Sequence, residues 1–365
     1  MILLIDLYQV GLYEKTALGS ISSCGLLIGL PLFRFISKWR QPASNIIAFL
    51  LLLSVVFLGL SLTVQHVWWF IICISLCIII PISGLPFLSE IYSSYKKNKR
   101  GKRYVTSLLA GNIGVLLFTY LGTQLYGESQ NSTALITLFT ACLLIAAICS
   151  YKTPVEFQKR LTPSFRDFAK VLTQDKLFSY ICLAWFVLGA GNLWLYPYRT
   201  NYLMEASFGH ELSAKETLFL VVVMPEAIRM ATAPIYAFAF DRYNFVILRM
   251  LINIFFVFYC FIFFSSTSYI GVFAGSCFQG LAMGGGSIAW QLWVTRLAPT
   301  GQSSTYMAIH TFLTGIRKIL CPVLGLWALQ DIGPNTCAWI SAGMILFSTV
   351  MLIPVISYGK TRFEN

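Results

Sequence analysis

Eleven apolar runs of about 20 residues recur along this chain, at 17 to 37, 45 to 64, 67 to 89, 104 to 126, 132 to 151, 177 to 204, 216 to 240, 245 to 264, 268 to 295, 304 to 330 and 335 to 357. In helical form a run of that length matches the hydrocarbon thickness of a bilayer. A helix also satisfies its own backbone in lipid, whereas barrel strands would be much shorter and alternate in polarity. The chain therefore reads as an all-α polytopic membrane protein. Its 57% hydrophobic and 11% charged residues argue against a water-soluble fold of two or three domains.

The net charge of +12 invites a nucleic-acid reading, but its distribution decides otherwise. With the first run placed so that its C-terminal end is cytoplasmic, the inside segments hold 20 Lys and Arg and the outside segments only Lys15 and Lys215. That asymmetry is the positive-inside rule obeyed along the whole chain, and it places the C-terminus in the cytoplasm. The charge reports topology, so no nucleic acid is expected as a partner. The densest run, Lys96-Lys97-Asn98-Lys99-Arg100-Gly101-Lys102-Arg103, is a topogenic loop that also suits anionic lipid.

Ten cysteines show no CxxC pair and no clustering with histidine; Cys73 and Cys77 are merely one helical turn apart. Most sit in apolar runs, where a free thiol behaves as a small hydrophobe. Neither a metal nor another cofactor is expected. Residues 1 to 13 lack the basic start and cleavage site of a signal peptide. Asn131-Ser132-Thr133 is a formal glycosylation sequon in a very short outer loop.

The stretch from Glu216 to Asn244 is the most informative. It is apolar enough to span, yet it carries Pro225, Glu226 and Arg229 near its middle and ends in Asp241-Arg242. A charged side chain at the centre of a membrane helix costs roughly 2.5 to 3.5 kcal/mol on insertion scales, so it normally faces a bundle interior or a wet cavity. Glu226 and Arg229 stand three apart and are within reach of each other. They read either as a self-neutralising ion pair or as part of a solute or proton site.

An internal repeat appears at an offset of about 203 residues. Pro31-Leu32-Phe33-Arg34-Phe35 matches Pro234-Ile235-Tyr236-Ala237-Phe238, Leu121-Gly122 matches Leu324-Gly325, and the run boundaries keep register. The expected architecture is two pseudo-symmetric helical bundles, 1–151 with five helices and 177–365 with six, joined by the polar linker 152–176 that contains Pro154 and Pro163. The counterpart of run 177 to 204 would fall upstream of Met1. The first half is thus expected to lack its first helix through truncation or a misplaced start, with 1–13 as the tail of that helix and its exit loop.

Two repeats of this kind, a long inner linker and an acidic-basic pair after the second helix of a half resemble the major facilitator superfamily of secondary transporters. The family's loop pattern, G-x-x-x-D-[RK]-x-G-[RK]-[RK], is met in part. Asp241 and Arg242 hold its core, while Ala237 and Asn244 replace glycines and Phe245 and Val246 replace basic residues. In the first half, Lys38 stands in the acidic place of Lys38-Trp39-Arg40. The resemblance implies that Asp241 and Arg242 form an inner latch between helices, and that solute binds near the midplane.

Polar residues deep in the runs are therefore the candidates for solute binding: Asn112, Asn192, Glu226, Arg229, Gln279 and Arg317. Asn192 and Arg199 are seven apart, as are His310 and Arg317, which puts each pair on nearly one helical face. Arg199 is explained by snorkelling as readily as by binding. Arg317 offers a planar fork to a carboxylate or phosphate, and Lys318 beside it has no evident partner. Gly284-Gly285-Gly286, between Gln279 and Gln291, suits close packing or a hinge. Glu226 is taken as the only carboxylate well inside a run, and with His310 it is the candidate proton carrier. Trp68, Trp69, Trp194, Trp290 and Trp293 serve either stacking on a solute or interfacial anchoring.

These residues support a secondary active transporter of a small solute, proton-coupled, with arginines favouring an anionic one. Membrane lipid is the other expected partner, and the chain is expected to act as a monomer in a bacterial inner membrane. An integral-membrane enzyme is disfavoured, since no paired carboxylates, His-rich cluster or nucleophile with a matching base is evident. A degenerate membrane protein that no longer transports is the other reading.

Overall fold

The structure, a computed structural model, describes residues 12–63, 66–129, 132–156, 165–195, 198–204 and 210–357. Outside the described residues lie the first eleven, Asn131 of the sequon, residues 157–164 of the linker with Pro163, and the tail with Lys360 and Arg362. Each of the eleven apolar runs is helical over most of its described length, and no strand occurs among the described residues.

The chain divides into two compact units. In the first, α1 (Leu12–Ile36) packs on α3 (Val67–Ser83), and α2 (Ala43–Leu60) packs on α3 and on α6 (Ser132–Tyr151). Gly25 lets α1 approach closely: a Cβ there would come within 3.0 to 3.1 Å of Ile82 and the Ile79 carbonyl. Leu58, Cys77 and Ile136 form a small buried cluster where α2, α3 and α6 meet. Helix α4 (Leu85–Ser94) continues α3 after a break at Gly84. Ser303 at the start of α14 (Ser303–Met351) bonds to Ser93 at 3.1 Å, and the turn around Gly315 lies against Leu27 of α1. Most of α5 (Arg100–Ser129) also belongs to this unit.

The second unit holds the first turn of α5, most of the linker helix α7 (Phe165–Gln174), α8 (Lys176–Leu193), the short α9 (Arg199–Met204) and α10 (Ala214–Leu218), α11 (Met224–Arg242), α12 (Phe245–Ser265), α13 (Tyr269–Leu297) and the rest of α14. Local chemistry sets its helix starts. Asp175 accepts the Phe178 N–H at 3.1 Å and Asn244 accepts the Val246 N–H at 2.8 Å, each satisfying an otherwise orphan donor. Ser213-Ala214-Lys215-Glu216 closes a capping box: Glu216 Oε2 accepts from the Ser213 N–H at 3.0 Å, and Ser213 Oγ from the Glu216 N–H at 3.3 Å. Gly333, at φ 77° and ψ 163°, breaks α14 into the two predicted runs, in a left-handed conformation that L side chains resist.

Glycine packing organises the centre of this unit. A Cβ at Gly280 would come within 2.6 Å of Ile228 Cβ and 2.8 Å of the Pro225 carbonyl, and one at Gly275 within 2.8 Å of the Phe263 backbone. Helix α13 runs unbroken through Gly284-Gly285-Gly286, where Thr232, Ile252 and Tyr236 close in. These glycines therefore let α13 seat against α11 and α12.

The run 177 to 204 is not one helix: α8 ends at Leu193 and Arg199 opens α9. Pro197 cannot donate to a helical ladder, so the one-face spacing expected for Asn192 and Arg199 does not apply.

Among the described residues, five helical stretches combine the length and hydropathy to cross a membrane: Ala43–Leu60, Val67–Ser94, Lys176–Leu193, Glu216–Arg242 and Phe245–Ser265. Ile145, Ile148, Ile235, Trp327, Trp339, Phe347 and Val350 are exposed on helices. So much outward apolar surface suits lipid rather than water, and the chain is an integral multi-pass membrane protein.

Candidate functional site

Pro225 removes the N–H that would close a helical turn onto the carbonyl four residues back, that of Val221. The backbone responds with a π-helical turn over Phe219–Val223, in which the Met224 N–H reaches five residues back to the Phe219 carbonyl. Such turns often mark functional sites. Buried Arg199 donates from Nη1 to the Val221 carbonyl at 3.2 Å. It thereby supplies the donor that proline withholds and ties α9 to the loosened turn, a role that spacing along the chain did not suggest.

One residue further, Glu226 and Arg229 make the expected pair. Arg229 Nη2 lies 2.6 Å and Nε 3.0 Å from the same carboxylate oxygen, Oε1. The Glu226 side chain stays 34% exposed against 17% for Arg229. Oε2 accepts no hydrogen bond among the described residues. The carboxylate is thus anchored on one side and open on the other.

Arg317 is buried in the second unit and donates from Nη1 to the Trp185 carbonyl of α8. Gly189 makes that approach possible, since a Cβ there would collide with the guanidinium. Trp185 stacks on Trp293, with ring centroids 5.7 Å apart, and Trp293 on Phe178 at 5.5 Å. Asn192, farther along α8, is half-buried, and its Oδ1 accepts no hydrogen bond among the described residues. Gln279 is almost fully buried in α13, with only a 3.7 Å contact from Nε2 to Met283 Sδ. His310 is buried in the first unit, and Asn112 is half-buried there.

At the C-terminal end of α11, Asp241 caps the first turn of α5: Oδ1 accepts the Gly101 N–H at 2.7 Å and Oδ2 the Lys102 N–H at 3.0 Å. A carboxylate at a helix N-terminus satisfies orphan donors and meets the positive end of the dipole. Gly101 permits the contact, because a Cβ there would sit 2.6 Å from the Ala237 carbonyl. Two arginines brace the junction: Arg100 donates to the Thr295 carbonyl at 2.6 Å and the Tyr95 carbonyl at 3.1 Å, and Arg296 to the Phe240 carbonyl. Burial pulls the Arg100 guanidinium below its ordinary pKa, Arg296 adds to that, and Asp241 opposes it. Arg242 is exposed and lies over the Phe238 ring of its own helix, 4.1 Å away.

Three buried groups escaped the sequence reading. Glu90 is only 2% exposed in α4, one residue past the expected end of its run, so Glu226 is not the only carboxylate inside a helix. Arg249, near the start of the run 245 to 264, is buried within α12, its guanidinium 3.8 Å from the Trp185 ring centroid. Asn253 lies one turn beyond, fully buried.

No sequence-family model matches the chain and no curated protein sequence matches it. Solved structures do. The E. coli fucose:proton symporter FucP superposes with a TM-score of 0.72 at 15% identity, covering 96% of this chain and 92% of its own. The human organic anion transporter TETRAN gives 0.72 at 15%, covering 92% and 83%. The proton:xylose symporter XylE gives 0.69 at 14%, covering 97% and 89%. Identities this low speak to architecture alone, and on that architecture the chain has the fold of the major facilitator superfamily transporters.

Proposed function

We propose that the protein is a proton-coupled secondary transporter that moves a small, preferentially anionic solute by alternating access, and that it is not an enzyme. The observation carrying this reading is the half-open Glu226 carboxylate, held through one oxygen by Arg229 in the middle of a helix that Pro225 has loosened. Intramembrane carboxylates serve as proton relays in transporters, and Glu226 keeps one oxygen open beside its ion pair. Protonation releases Arg229 toward an anion; deprotonation recaptures it.

In this reading Asn112, Asn192, Gln279 and Arg317 complete the solute site with Glu226 and Arg229, and His310 is a second proton carrier. Asp241 is the inner latch with Arg242 beside it. The halves 1–151 and 177–365 move about the linker 152–176. The transporter works as a monomer among lipids of a bacterial inner membrane, with its C-terminus in the cytoplasm. Two of the similar structures are described as proton symporters and one as an organic anion transporter, which agrees with this reading.

The experiment begins with a thermal-shift screen of the purified protein against sugars, amino acids, nucleotides, organic phosphates, carboxylates and drugs. A ligand at a hundred times its Kd stabilises by about 2.7 kcal/mol. With the solute in hand, Glu226→Gln in proteoliposomes is expected to abolish uphill transport while leaving solute exchange intact. Equal loss of both would overturn proton coupling through Glu226.

A further inference from the structure

Arg249 lies in the second unit, 3% exposed, with its guanidinium on the face of Trp185. Its Nε meets no hydrogen-bond partner, and it forms no ion pair with a carboxylate among the described residues. Arg317 reaches the same tryptophan from the other side of the problem, by donating to its backbone carbonyl. Both guanidiniums thus meet Trp185, Arg249 at its ring and Arg317 at its carbonyl, which gathers two like charges around one residue. One turn along α12 from Arg249, on the same face, Asn253 is 0% exposed, and neither its Oδ1 nor its Nδ2 meets a hydrogen-bond partner among the described residues.

Arginine cannot relieve its burial by shedding a proton. Arg249, which has no carboxylate partner among the described residues, therefore needs a compensating anion, because a tryptophan face attracts a cation but carries no net charge. An unsatisfied carboxamide beside it is equally costly in a dry interior unless something accepts its N–H. A guanidinium fork matches the paired oxygens of an oxyanion better than it matches a halide.

We infer that Arg249, Arg317 and Asn253 form a buried binding site for a small oxyanion, walled by Trp185, inside the second unit. The site deepens the transporter reading at Arg317 and rests on it there for its role in transport. The occupant chemistry is a carboxylate or a tetrahedral oxyanion; either offers oxygens to both guanidiniums and to the Asn253 N–H.

The test is calorimetric titration of the purified full-length protein with sodium sulfate, inorganic phosphate and acetate, with chloride as a spherical control at matched ionic strength. Thermal unfolding is read in parallel. The millimolar range is used, because sulfate stabilises proteins generally at higher concentration. One saturable site for at least one oxyanion, at least tenfold tighter than for chloride, is expected. Arg249→Gln and Arg317→Gln should each abolish it. In anion-free buffer Arg249→Gln should leave the Tm unchanged or raise it, since it removes an uncompensated buried charge. Absence of saturable oxyanion heat with the wild-type protein overturns the site, a result that needs no variant to fold. Oxyanion binding that survives both substitutions also overturns it. Oxyanion binding without transport in proteoliposomes would uphold the site and defeat the transporter reading; transport without oxyanion binding would do the reverse.

Discussion

Replacing Arg199 by Met tests whether its guanidinium stands in for the donor that Pro225 lacks. The structure gives a charged hydrogen bond from Nη1 to the Val221 carbonyl at 3.2 Å, in a buried setting. A hydrogen bond to a charged group contributes about 1.5 to 3 kcal/mol, and a buried carbonyl left without a donor is penalised by about 1 to 3 kcal/mol. These overlap rather than add, so Arg199→Met is expected to destabilise by about 2 to 3 kcal/mol. Pro225→Ala restores an N–H that can close onto Val221 along the helix. In that background Arg199→Met should cost only about 1 kcal/mol, which is a coupling of about 1 to 2 kcal/mol in a double-mutant cycle. The assay is urea or thermal unfolding of the four proteins in one detergent, followed by tryptophan fluorescence. Additive losses would refute the reasoning, because they would mean that Arg199 and Pro225 act through separate contacts.

The remaining predictions concern the latch, the glycine packing and the two sites. Asp241→Ala removes a carboxylate cap at the start of α5 and is expected to cost about 2 kcal/mol, with Asp241→Asn losing about half of that; Tm in detergent reads both. Gly280→Ala forces a methyl group onto Ile228 Cβ and the Pro225 carbonyl, neither of which can swing aside, for an expected cost of about 1 to 3 kcal/mol; an unchanged Tm would mean that α11 and α13 part freely. Glu226→Gln should separate exchange from uphill transport, and oxyanion binding should depend on both Arg249 and Arg317.

What was legible in the sequence follows from distance along the chain. The Glu226–Arg229 pair needs only a helical period, and it is present as spacing predicts. The spans are similarly local. Arg199 was not legible, because its partner is 22 residues away and the run was read as continuous through Pro197. Arg249 and Glu90 lie at the ends of their runs, the first near the start of 245 to 264 and the second one residue beyond 67 to 89, and neither position shows from spacing alone how deeply the side chain is buried. Asp241 carried a signal in the sequence, but its partners are the backbone N–H groups of Gly101 and Lys102, about 140 residues earlier, which no local pattern around Asp241 contains. The family's loop pattern looks for glycine at position 237; in this chain the close approach to Ala237 is made by Gly101 on the other helix.

The chain carries 26 basic residues against 14 acidic ones, so its interior cannot match each cation with a carboxylate. The second unit uses backbone carbonyls instead. Arg100 takes those of Thr295 and Tyr95, Arg199 that of Val221, Arg296 that of Phe240 and Arg317 that of Trp185. A carbonyl dipole accepts a charged donor without itself requiring a counter-charge, and a carbonyl has a second lone pair even when the helix ladder uses the first. Carbonyls freed by a proline, or lying near a helix end, are the least committed acceptors, as at Val221 and Thr295. Arg229 pairs with a carboxylate, that of Glu226, the group proposed to carry the proton. Arg249 follows neither pattern: it has an aromatic face, no carbonyl and no carboxylate among the described residues. In a unit that otherwise finds each buried guanidinium an oxygen, the missing oxygen at Arg249 is best supplied from outside the chain.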